Sequence, residues 1–391
     1  IGPYVMKKTE QIKQISKLLN RIDTNTNVDA GCFYENPTSS YTDQGLAQRE
    51  WDTFFCSSPQ LVGLSGDLPE PYSFFTVKEL GTPILAVRDN KGEFRAFVNS
   101  CRHRGVVVEE QERGTSKRFT CQFHRWTYDS NGTLVGLPKA EHFGELETER
   151  KGLIELPSEE RFGLLWVHPD PNGLIDIGEM LTDNLIEELE SWNLHELEHL
   201  GNDSYDVACN WKLAMDTFGE TYHFSSLHEM TLHNAFHGNV QCYDTFGNNH
   251  RMLLCRREID EMRKLPESDW DITTAALPVY WLFPNVQLMP SKEGLYLVRA
   301  YPNPEDPGQH RSLISFYLRS DFSADIEMRE VFTMISQGFA QIIRDEDYAV
   351  GESQQITANS KAMKSVIFGR NEPALHHYHS TYERVLNEMD A

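Results

Sequence analysis

Two loops of this chain place cysteine and histidine close together. Cys101-x-His103 and Cys121-x2-His124 are separated by seventeen residues, and alternating segments typical of β-strands flank both pairs. Zinc accepts two cysteines with two histidines, but the common zinc patterns pair cysteine with cysteine and histidine with histidine. Here each loop supplies one residue of each type, which suits a two-iron cluster with both thiolates on one iron and both imidazoles on the other. The spacing therefore favours a [2Fe-2S] cluster over a zinc site.

A protein that only carries electrons would need little more than these loops and their strands, yet more than 200 residues follow them. That C-terminal part is expected to hold the electron acceptor. It contains His223 and, five residues later, His228. Two histidines and one carboxylate bind mononuclear iron in many oxygenases and leave positions open for O2 and substrate. Since residues five apart point about 140° away from each other on a regular helix, the helix is expected to end, bulge or bend between them.

Carboxylates near these histidines are candidates for the remaining chemistry. Glu220 precedes His223 by three residues on the same helical face, where it can accept the second imidazole proton, and Asp216 can share that face. Both are predicted to act in catalysis. The third iron ligand is expected from the long C-terminal helix, because a carboxylate that faces a core is costly unless it is paired or binds metal. Helical geometry alone leaves Glu346 and Asp347 as alternatives.

Apolar residues near the histidines, or on the sheet that faces them, are candidates for a substrate pocket, although core packing is their more common role. The candidates are Phe218, Leu227, Leu232, Phe236, Trp281 and Met289. The apolar stripe of the long helix is expected to comprise Phe332, Ile335, Phe339, Ile342, Ile343 and Val350.

The elements that must position these residues follow from the hydrophobic periodicity. Residues 7–20 have the spacing of a short amphipathic helix, and residues 46–168 alternate strands and turns as in a compact all-β unit. Helical segments at 175–199 and 210–229, further strands and a long helix over 324–357 follow. Such blocks predict an α+β domain on an antiparallel sheet. The predicted domains are an N-terminal helical segment 1–45 that packs on the catalytic domain, a β domain 46–168 and a catalytic domain 169–391.

Composition narrows the class of protein. The net charge of -23 over 391 residues argues against nucleic acid as a partner, since phosphate binding needs a basic face. An apolar run long enough to span a membrane is absent from the sequence. The seven cysteines are odd in number and thinly spread, and the N-terminal residues lack the apolar core of a signal peptide. A reducing cytoplasm is the expected location.

These motifs together resemble the oxygenase (alpha) subunit of Rieske non-heme iron oxygenases, and the resemblance covers nearly the whole chain. Its most specific parts are CRHRG with CQFHRW, then NWK followed by Glu220-x-Tyr222-His223-x4-His228, and Glu346-Asp347-x4-Glu352. The resemblance implies that Cys101, His103, Cys121 and His124 bind a Rieske [2Fe-2S] cluster. It also implies that His223, His228 and Asp347 bind one mononuclear Fe(II) per subunit. The family's C-terminal helix has a similar histidine-containing stretch without a metal role, so His376, His377 and His379 are not expected to bind metal.

The same resemblance implies a fold, an assembly and a reaction. The catalytic domain should have a curved antiparallel sheet covered by helices, as in helix-grip (START-like) folds. Subunits should form a head-to-tail homotrimer, α3 or α3β3 with a small subunit, in which Glu220 bridges an iron ligand to a cluster histidine of the neighbouring subunit. A separate NAD(P)H-dependent reductase, with or without a ferredoxin, should supply electrons, because the chain has no GxGxxG fingerprint of its own.

The expected reaction is hydroxylation of an organic substrate with O2, with an aromatic ring as the first candidate. Hydroxylation of a quaternary amine and oxidative N- or O-demethylation run on the same metal centres, and an electron-transfer protein without oxygenase activity is the alternative of another class. One departure concerns the second cluster loop, which in the family usually reads Cys-Pro-Tyr-His-Gly-Trp. Here Gln122 and Arg125 replace proline and glycine, and Arg125 adds a charge beside the cluster.

Overall fold

The computed structural model describes residues 6–147, 151–360 and 362–389. The chain forms two compact units: residues 52–176 with 193–199, and the described parts of 1–51, 177–192 and 200–391. The predicted β domain, 46–168, overlaps the first unit, which begins and ends at other residues and also includes the segment 193–199. In the described part of the chain, no helix is long and apolar enough to cross a bilayer.

The N-terminal segment adds two helices and a strand to the second unit, besides a 3-10 turn at Thr38–Tyr41. They are helix α1 (Lys8–Thr24), strand β1 (Tyr34–Pro37) and helix α2 (Gln44–Glu50). The apolar side chains of α1 that face the protein, Ile15, Leu18 and Leu19, are buried. The helix ends where Asn25 adopts a left-handed φ of 49° and its N–H bonds to carbonyls of the last turn. The amphipathic helix predicted over 7–20 is therefore confirmed.

The first unit, hereafter the β unit, consists of short antiparallel strands. They are β2 (Gln60–Leu64), β3 (Ser73–Val77), β4 (Ile84–Arg88), β5 (Phe94–Val98), β6 (Arg113–Thr115), β7 (Arg118–Thr120), β8 (Thr127–Asp129), β9 (Leu134–Gly136), β10 (Glu155–Leu156), β11 (Ser158–Arg161) and β12 (Leu164–Val167). One sheet has the order β10-β5-β4-β3-β6, and two smaller sheets have the orders β11-β12-β2 and β7-β8-β9. The two loops that carry cysteine and histidine follow β5 and join β7 to β8.

The second unit, hereafter the α+β unit, is built on a large sheet. Its strands are β13 (Leu197–Val207), β14 (Phe236–Phe246), β15 (Asn249–Arg256), β16 (Ala276–Leu282), β17 (Val286–Pro290), β18 (Gly294–Pro302) and β19 (His310–Arg319), and β20 (Ser365–Phe368) pairs with β1. The order in the sheet is β13-β19-β18-β17-β16-β15-β14, and neighbours from β14 to β19 are antiparallel. All residues of β16 and β17 are buried, so both faces of the sheet centre are covered.

Helices cover this sheet. They are α3 (Ile177–Met180), α4 (Asp183–Ser191), α5 (Trp211–Thr217), α6 (Ile259–Met262), α7 (Ile272–Ala275), α8 (Ser320–Ser323), α9 (Ile326–Ile342), α10 (Ala349–Asn359) and α11 (Pro373–Met389). The ring of Tyr378 on α11 lies 4.7 Å from that of Trp281 on β16, and its hydroxyl accepts a 2.8 Å hydrogen bond from Gln287 Nε2 on β17. The expected α+β class, an antiparallel sheet covered by helices beside an all-β domain, is confirmed.

The helix predicted over 210–229 is shorter than expected. Helix α5 ends at Thr217 and the chain then passes through Gly219. A Cβ added to Gly219 would lie 2.3 Å from Leu375 Cδ1 and 2.8 Å from Tyr378 Cε2, so only glycine allows this close approach to α11. A 3-10 turn, Tyr222–Ser225, follows in place of further α-helix.

The long C-terminal helix predicted over 324–357 is interrupted. A π-helical segment, Ile343–Tyr348, separates α9 from α10. The extra residue in a π turn changes the angular position of everything after it, so one continuous apolar stripe cannot run through both helices. The predicted stripe is wrong at Val350, which follows the π segment and is 37% exposed, and also at Ile335, which precedes it and is 54% exposed.

Candidate metal centres

The two cysteine loops of the β unit have the same backbone structure. In each, the cysteine N–H donates to the carbonyl five residues later, and the cysteine carbonyl accepts from the N–H four residues later. The bonds are Cys101 N to Val106 O at 2.8 Å and Gly105 N to Cys101 O at 2.9 Å in the first loop, and Cys121 N to Trp126 O at 2.8 Å and Arg125 N to Cys121 O at 3.0 Å in the second. This repeat places the two cysteines, and the histidines that follow them, in matching positions.

The fifth residue of each loop adopts a left-handed backbone conformation. Gly105 has a φ of 76° and Arg125 a φ of 64°. Glycine tolerates this region without cost, whereas a residue with a Cβ is strained by roughly 1–2 kcal/mol. The departure noted at Arg125 therefore has a conformational consequence as well as an electrostatic one.

The side chains of the two loops converge on one position. Cys101 and Cys121 are buried among aromatic residues of the β unit, and the imidazoles of His103 and His124 approach to 3.2 Å between their Nδ1 atoms. Trp126, which is 3% exposed, stacks on His103 with ring centroids 5.1 Å apart. Imidazole nitrogens that share one metal ion at about 2 Å have a separation of this size. Two thiols and two adjacent imidazoles are thus a donor set that fits a Rieske cluster.

A tyrosine that sequence reasoning missed lies beside one of the cysteines. The Tyr128 hydroxyl on β8 accepts the N–H of Arg102 at 3.0 Å and lies 3.4 Å from Cys101 Sγ. Since its oxygen already accepts from the backbone, its own hydrogen is free to be donated to the sulfur. Burial, together with Cys101, raises the pKa of Tyr128, so that this hydrogen stays in place at neutral pH. Tyr128 could not be predicted from the sequence, because no residue spacing indicates that a strand residue contacts a cysteine in a different loop.

The second centre lies in the α+β unit. His223 Nε2 and His228 Nε2 are 3.1 Å apart, and each lies 3.5 Å from Asp347 Oδ1. His228 and Asp347 are buried, with 1% and 6% of their surface exposed. One ligand atom from each of these three residues lies within 4.8 Å of the other two, which is close enough for all three to share a metal ion. They form a 2-His-1-carboxylate arrangement that fits mononuclear iron.

Local backbone irregularities assemble this triad. His223 lies in the 3-10 turn Tyr222–Ser225, and the chain then turns before His228, so both imidazoles face the same point. The bend that the five-residue spacing predicts is therefore present. Asp347 comes from the π-helical segment Ile343–Tyr348, which also carries Glu346.

Each histidine of the triad is held by a second carboxylate. The Nδ1–H of His223 donates to Glu220, whose other oxygen accepts the backbone N–H of His223 at 3.1 Å. The Nδ1–H of His228 donates to Glu346 Oε2 at 2.6 Å, and the hydroxyl of Thr231 donates to the same oxygen at 2.9 Å. Glu346 therefore contacts a candidate ligand, and Asp347 occupies the ligand position itself. The outer-sphere contact expected for Glu220 is present.

The carboxylates control protonation of the metal-free triad. Burial lowers the pKa of His223, but its contacts with Asp347 and Glu220 outweigh this effect and raise the pKa to about 9. The pKa of His228 is also raised, since Asp347 and Glu346 outweigh its burial. Burial raises the pKa of Asp347, yet the two histidines reverse the shift and lower it. A metal ion must therefore displace protons from this site.

A cavity of about 270 Å³ opens on the triad. Glu220, His223 and Asp347 contribute to its wall, and so do Asp216 and Leu227. Asp216 does not contact the triad: its carboxylate accepts hydrogen bonds from Tyr41 and from His379, at 2.7 and 2.9 Å. His379 was not expected to bind metal, and its contact here is to a carboxylate 163 positions earlier in the chain.

The other predicted pocket residues lie elsewhere around the site. Phe236 packs on Phe224, which contacts both histidine rings of the triad. Trp281 and Met289 are buried in the sheet. Phe218 follows the end of α5, and Leu232 begins a 3-10 turn after His228. Of the six candidates, Leu227 is the one that lines the cavity.

Two family models match the chain, one for each unit. Residues 58–151 match the Rieske [2Fe-2S] domain, and residues 194–388 match the catalytic domain of ring hydroxylating alpha subunits. The chain belongs to the alpha subunits of Rieske oxygenases. The two expected cofactors of this Rieske oxygenase subunit, a [2Fe-2S] cluster and a mononuclear iron, agree with its two domains. The assignment of individual ligands remains a prediction that the geometry supports.

Relatives of the subunit act on different substrates. The alpha subunit of 2-aminobenzenesulfonate 2,3-dioxygenase from Alcaligenes sp is 32% identical over 186 residues, which are 47% of this chain and 47% of that protein. The match thus spans about half the length of that relative. The chloroplastic choline monooxygenase of Amaranthus tricolor is 23% identical over 97% of this chain and 83% of its own length.

Solved structures of the family share the fold. The quaternary ammonium Rieske monooxygenase CntA in complex with L-carnitine has a TM-score of 0.74 at 18% identity, over 91% of this chain and 96% of that chain. A naphthalene 1,2-dioxygenase with bound indole has a TM-score of 0.70 at 18% identity, over 92% and 93%. At these identities the likeness concerns the architecture alone.

Proposed function

We propose that this chain is the terminal oxygenase component of a multicomponent Rieske oxygenase. In this proposal it takes electrons that originate from NAD(P)H through a separate reductase, with or without a ferredoxin, and hydroxylates an organic substrate with O2. The observation that carries the proposal is the presence of both donor sets on one chain, a paired Cys-His set in the β unit and a 2-His-1-carboxylate set in the α+β unit.

Each donor set implies one kind of chemistry. When bound, a Rieske cluster held by Cys101, His103, Cys121 and His124 supplies single electrons, and a mononuclear iron(II) held by His223, His228 and Asp347 supplies O2 activation. The protein's own contribution is to fix the ligands. Glu220 and Glu346 each hold a hydrogen at the Nδ1 of one triad histidine, so that the unprotonated Nε2 atoms face Asp347. The cavity beside the triad then orients the substrate.

The proposed assembly is a head-to-tail homotrimer, α3 or α3β3, in which Glu220 links one subunit's iron ligand to a cluster histidine of the next. Charge supports such a contact. Four exposed basic side chains lie in or beside the cluster loops, Arg104, Lys117, Arg118 and Arg125, against two exposed acidic ones, Glu110 and Glu112, on a chain with a net charge of -23. A basic cluster face suits an acidic partner, whether a second copy of this chain or an electron donor. The seven free cysteines support a reducing compartment such as the cytoplasm.

The first candidate substrate is a small aromatic compound. A cavity of about 270 Å³, with an apolar wall that includes Leu213, Leu227 and Phe368, suits a ligand of about one ring. The dioxygenase relatives that share about 30% identity are named for aromatic substrates. A second candidate is a quaternary amine, or a methyl group removed by oxidative demethylation. It is supported by choline monooxygenase, which matches 97% of this chain.

A single-turnover experiment tests the proposed function. Purified protein with both centres loaded is reduced without oxygen, mixed with a panel of aromatic compounds and methylated amines, and exposed to labelled O2. The expected result is a product that contains label from O2. Glu220→Gln should retain both metal centres yet lose product formation coupled to oxidation of the cluster. Normal coupled turnover in that variant would contradict the bridging role. A reduced protein that forms no labelled product with any compound of the panel would favour the electron-transfer alternative.

A further inference from the structure

Strand β15 carries two arginines in different environments. The guanidinium of Arg251 contacts three carboxylates, those of Glu10, Glu188 and Asp244. Arg256 is the last residue of the same strand. Among the side chains that the structure describes, Arg256 has neither an acceptor for its buried Nε–H nor a carboxylate at ion-pair distance. Arg256 therefore keeps a positive charge that the protein itself does not neutralise, in a chain with a net charge of -23.

The guanidinium of Arg256 lies over the ring of Phe236. These two residues pair across β14 and β15, so their side chains share one face of the sheet, and Arg256 Cζ lies 5.4 Å from the Phe236 ring centroid. The ring stabilises the charge but offers no lone pair to the N–H groups. The donors of Arg256 thus remain available to an anion.

Phe236 connects this arginine with the metal site. Its ring packs on that of Phe224, with centroids 5.8 Å apart. Phe224 in turn contacts the rings of both triad histidines, at centroid distances of 5.0 and 5.2 Å. The face of the sheet that carries Arg256 is therefore the face toward the triad, and two aromatic rings separate the guanidinium from the histidine ligands.

Helix α9 faces the same part of the sheet. The ring of Tyr296 on β18 lies 5.9 Å from that of Phe332 and 4.7 Å from that of Phe339, both on α9. Burial raises the pKa of Tyr296 and the charge of Arg256 counteracts part of this rise, so the two groups lie close enough to interact. Arg256, Tyr296 and Phe339 are only half-buried. Solvent therefore reaches the region between α9 and the sheet.

The chemistry of this region indicates its ligand. An arginine presents a planar fork of N–H donors that matches a carboxylate, and it stays charged at physiological pH. A buried donor without an acceptor is costly, and an anionic oxygen removes that cost, whereas a cation is repelled. The rings of Phe236, Tyr296 and Phe339 offer apolar surface to the rest of an aromatic ligand. Arg256 does not line the cavity of about 270 Å³, so it adds a subsite to that cavity.

We propose that Arg256 binds an anionic group of the substrate, so that the protein takes an aromatic carboxylate in preference to the neutral or cationic compound with the same carbon skeleton. Arg256 is then a specificity-determining residue, and the substrate extends from the triad past Phe224 and Phe236 to its guanidinium. The inference rests on the proposed function and deepens it, since it assigns a charge to the first candidate substrate, a small aromatic compound.

Two sets of compounds test the charge preference. One set is benzoate, benzyl alcohol and benzylammonium, and the other is 3-phenylpropanoate, 3-phenylpropanol and 3-phenylpropylammonium. Each compound is titrated calorimetrically into the metal-loaded protein without oxygen. In at least one set the carboxylate should bind about tenfold or more tightly than both other compounds, as hydrogen bonds to a charged group imply. Carboxylates that bind no more tightly than the alcohols or the ammonium compounds in both sets overturn the proposal.

Variants separate this subsite from direct binding of a carboxylate to the metal. Arg256→Gln should lower the affinity for the preferred carboxylate about tenfold or more, with little change for the alcohol. Arg256→Lys keeps the charge and loses the planar fork, so its affinity should be intermediate. Arg263→Gln is the matched control, because it removes the same charge from an exposed arginine that pairs with Asp23 and Asp260.

The variant series has its own decisive outcomes. An unchanged carboxylate affinity in Arg256→Gln shows that the anion binds elsewhere, and it contradicts the assignment, as does an equal loss in Arg263→Gln. Thermal unfolding establishes that each variant is folded. If Arg256→Gln loses its fold, Arg256→Lys provides the decisive comparison, and an affinity equal to that of the parent contradicts the assignment. Because the readout is binding, a carboxylate that binds at Arg256 but yields no product counts against the proposed function alone.

Discussion

Replacing Arg125 with glycine should stabilise the β unit. Arg125 has a φ of 64° at the position where the matching loop has Gly105, with a φ of 76°. Relief of left-handed strain contributes about 1–2 kcal/mol, and the greater freedom of glycine in the unfolded chain offsets roughly 0.5–1 kcal/mol of it. We therefore expect Arg125→Gly to raise the free energy of unfolding of the β unit by about 0.5–1 kcal/mol. The Arg125 side chain is exposed, so its removal sacrifices no buried contact.

The matching loop supplies the reciprocal control. A Cβ added to Gly105 would have Ser100 Oγ at 3.8 Å as its nearest neighbour, so Gly105→Ala introduces backbone strain without a steric clash. Its expected cost is about 1 kcal/mol. Both variants are compared with the parent by urea denaturation, followed through the visible absorption of the cluster. A loss of stability in Arg125→Gly, together with the expected loss in Gly105→Ala, would refute the conformational argument and indicate that the arginine makes a stabilising contact.

Three further predictions concern the metal centres. Tyr128→Phe removes the hydroxyl that lies 3.4 Å from Cys101 Sγ. Loss of one such hydrogen bond, worth about 1 kcal/mol, should lower the one-electron potential of the cluster by roughly 40 mV in a redox titration. An unchanged potential would contradict the contact. Glu346→Gln replaces the carboxylate that lies 2.6 Å from His228 Nδ1. It should weaken Fe(II) binding at the triad about tenfold while the cluster content stays constant. An undiminished Fe(II) affinity would show that Glu346 does not support His228 as a ligand. The pKa of metal-free His223 is raised to about 9, so protons compete with iron for this histidine below that pH. The apparent Fe(II) affinity should therefore rise by up to about tenfold per pH unit between pH 7 and 9 and level off at higher pH. An affinity that does not change with pH would show that the histidine is not protonated in the metal-free site.

Residue type and spacing predicted the donor sets because metal chemistry restricts them strongly. Two loops with one cysteine and one histidine each are unusual for zinc, and the five-residue spacing of His223 and His228 required a bend that the structure contains. The choice between Glu346 and Asp347 could not follow from helical periodicity. The segment that carries both residues is π-helical, so angles worked out for a regular helix do not apply to it.

Contacts between distant parts of the chain account for what the sequence did not predict. Asp216 meets Tyr41 and His379, which lie 175 positions earlier and 163 positions later. These contacts of Asp216 depend on how α5, α11 and the N-terminal segment pack around Gly219. A local sequence pattern cannot predict them. The cavity lining was difficult to predict for the same reason, since an apolar residue near a catalytic segment packs equally well in the sheet, as Trp281 does.

Metal and sulfide analysis of the purified, reconstituted protein tests the central claim most directly. Two donor sets on one chain predict about three iron atoms and two acid-labile sulfides per chain, with the absorption spectrum of a Rieske cluster. Asp347→Asn should lose about one iron and retain both sulfides. A parent protein with two irons and an iron content unaffected by that substitution, or with zinc in place of iron and sulfide, would contradict the account.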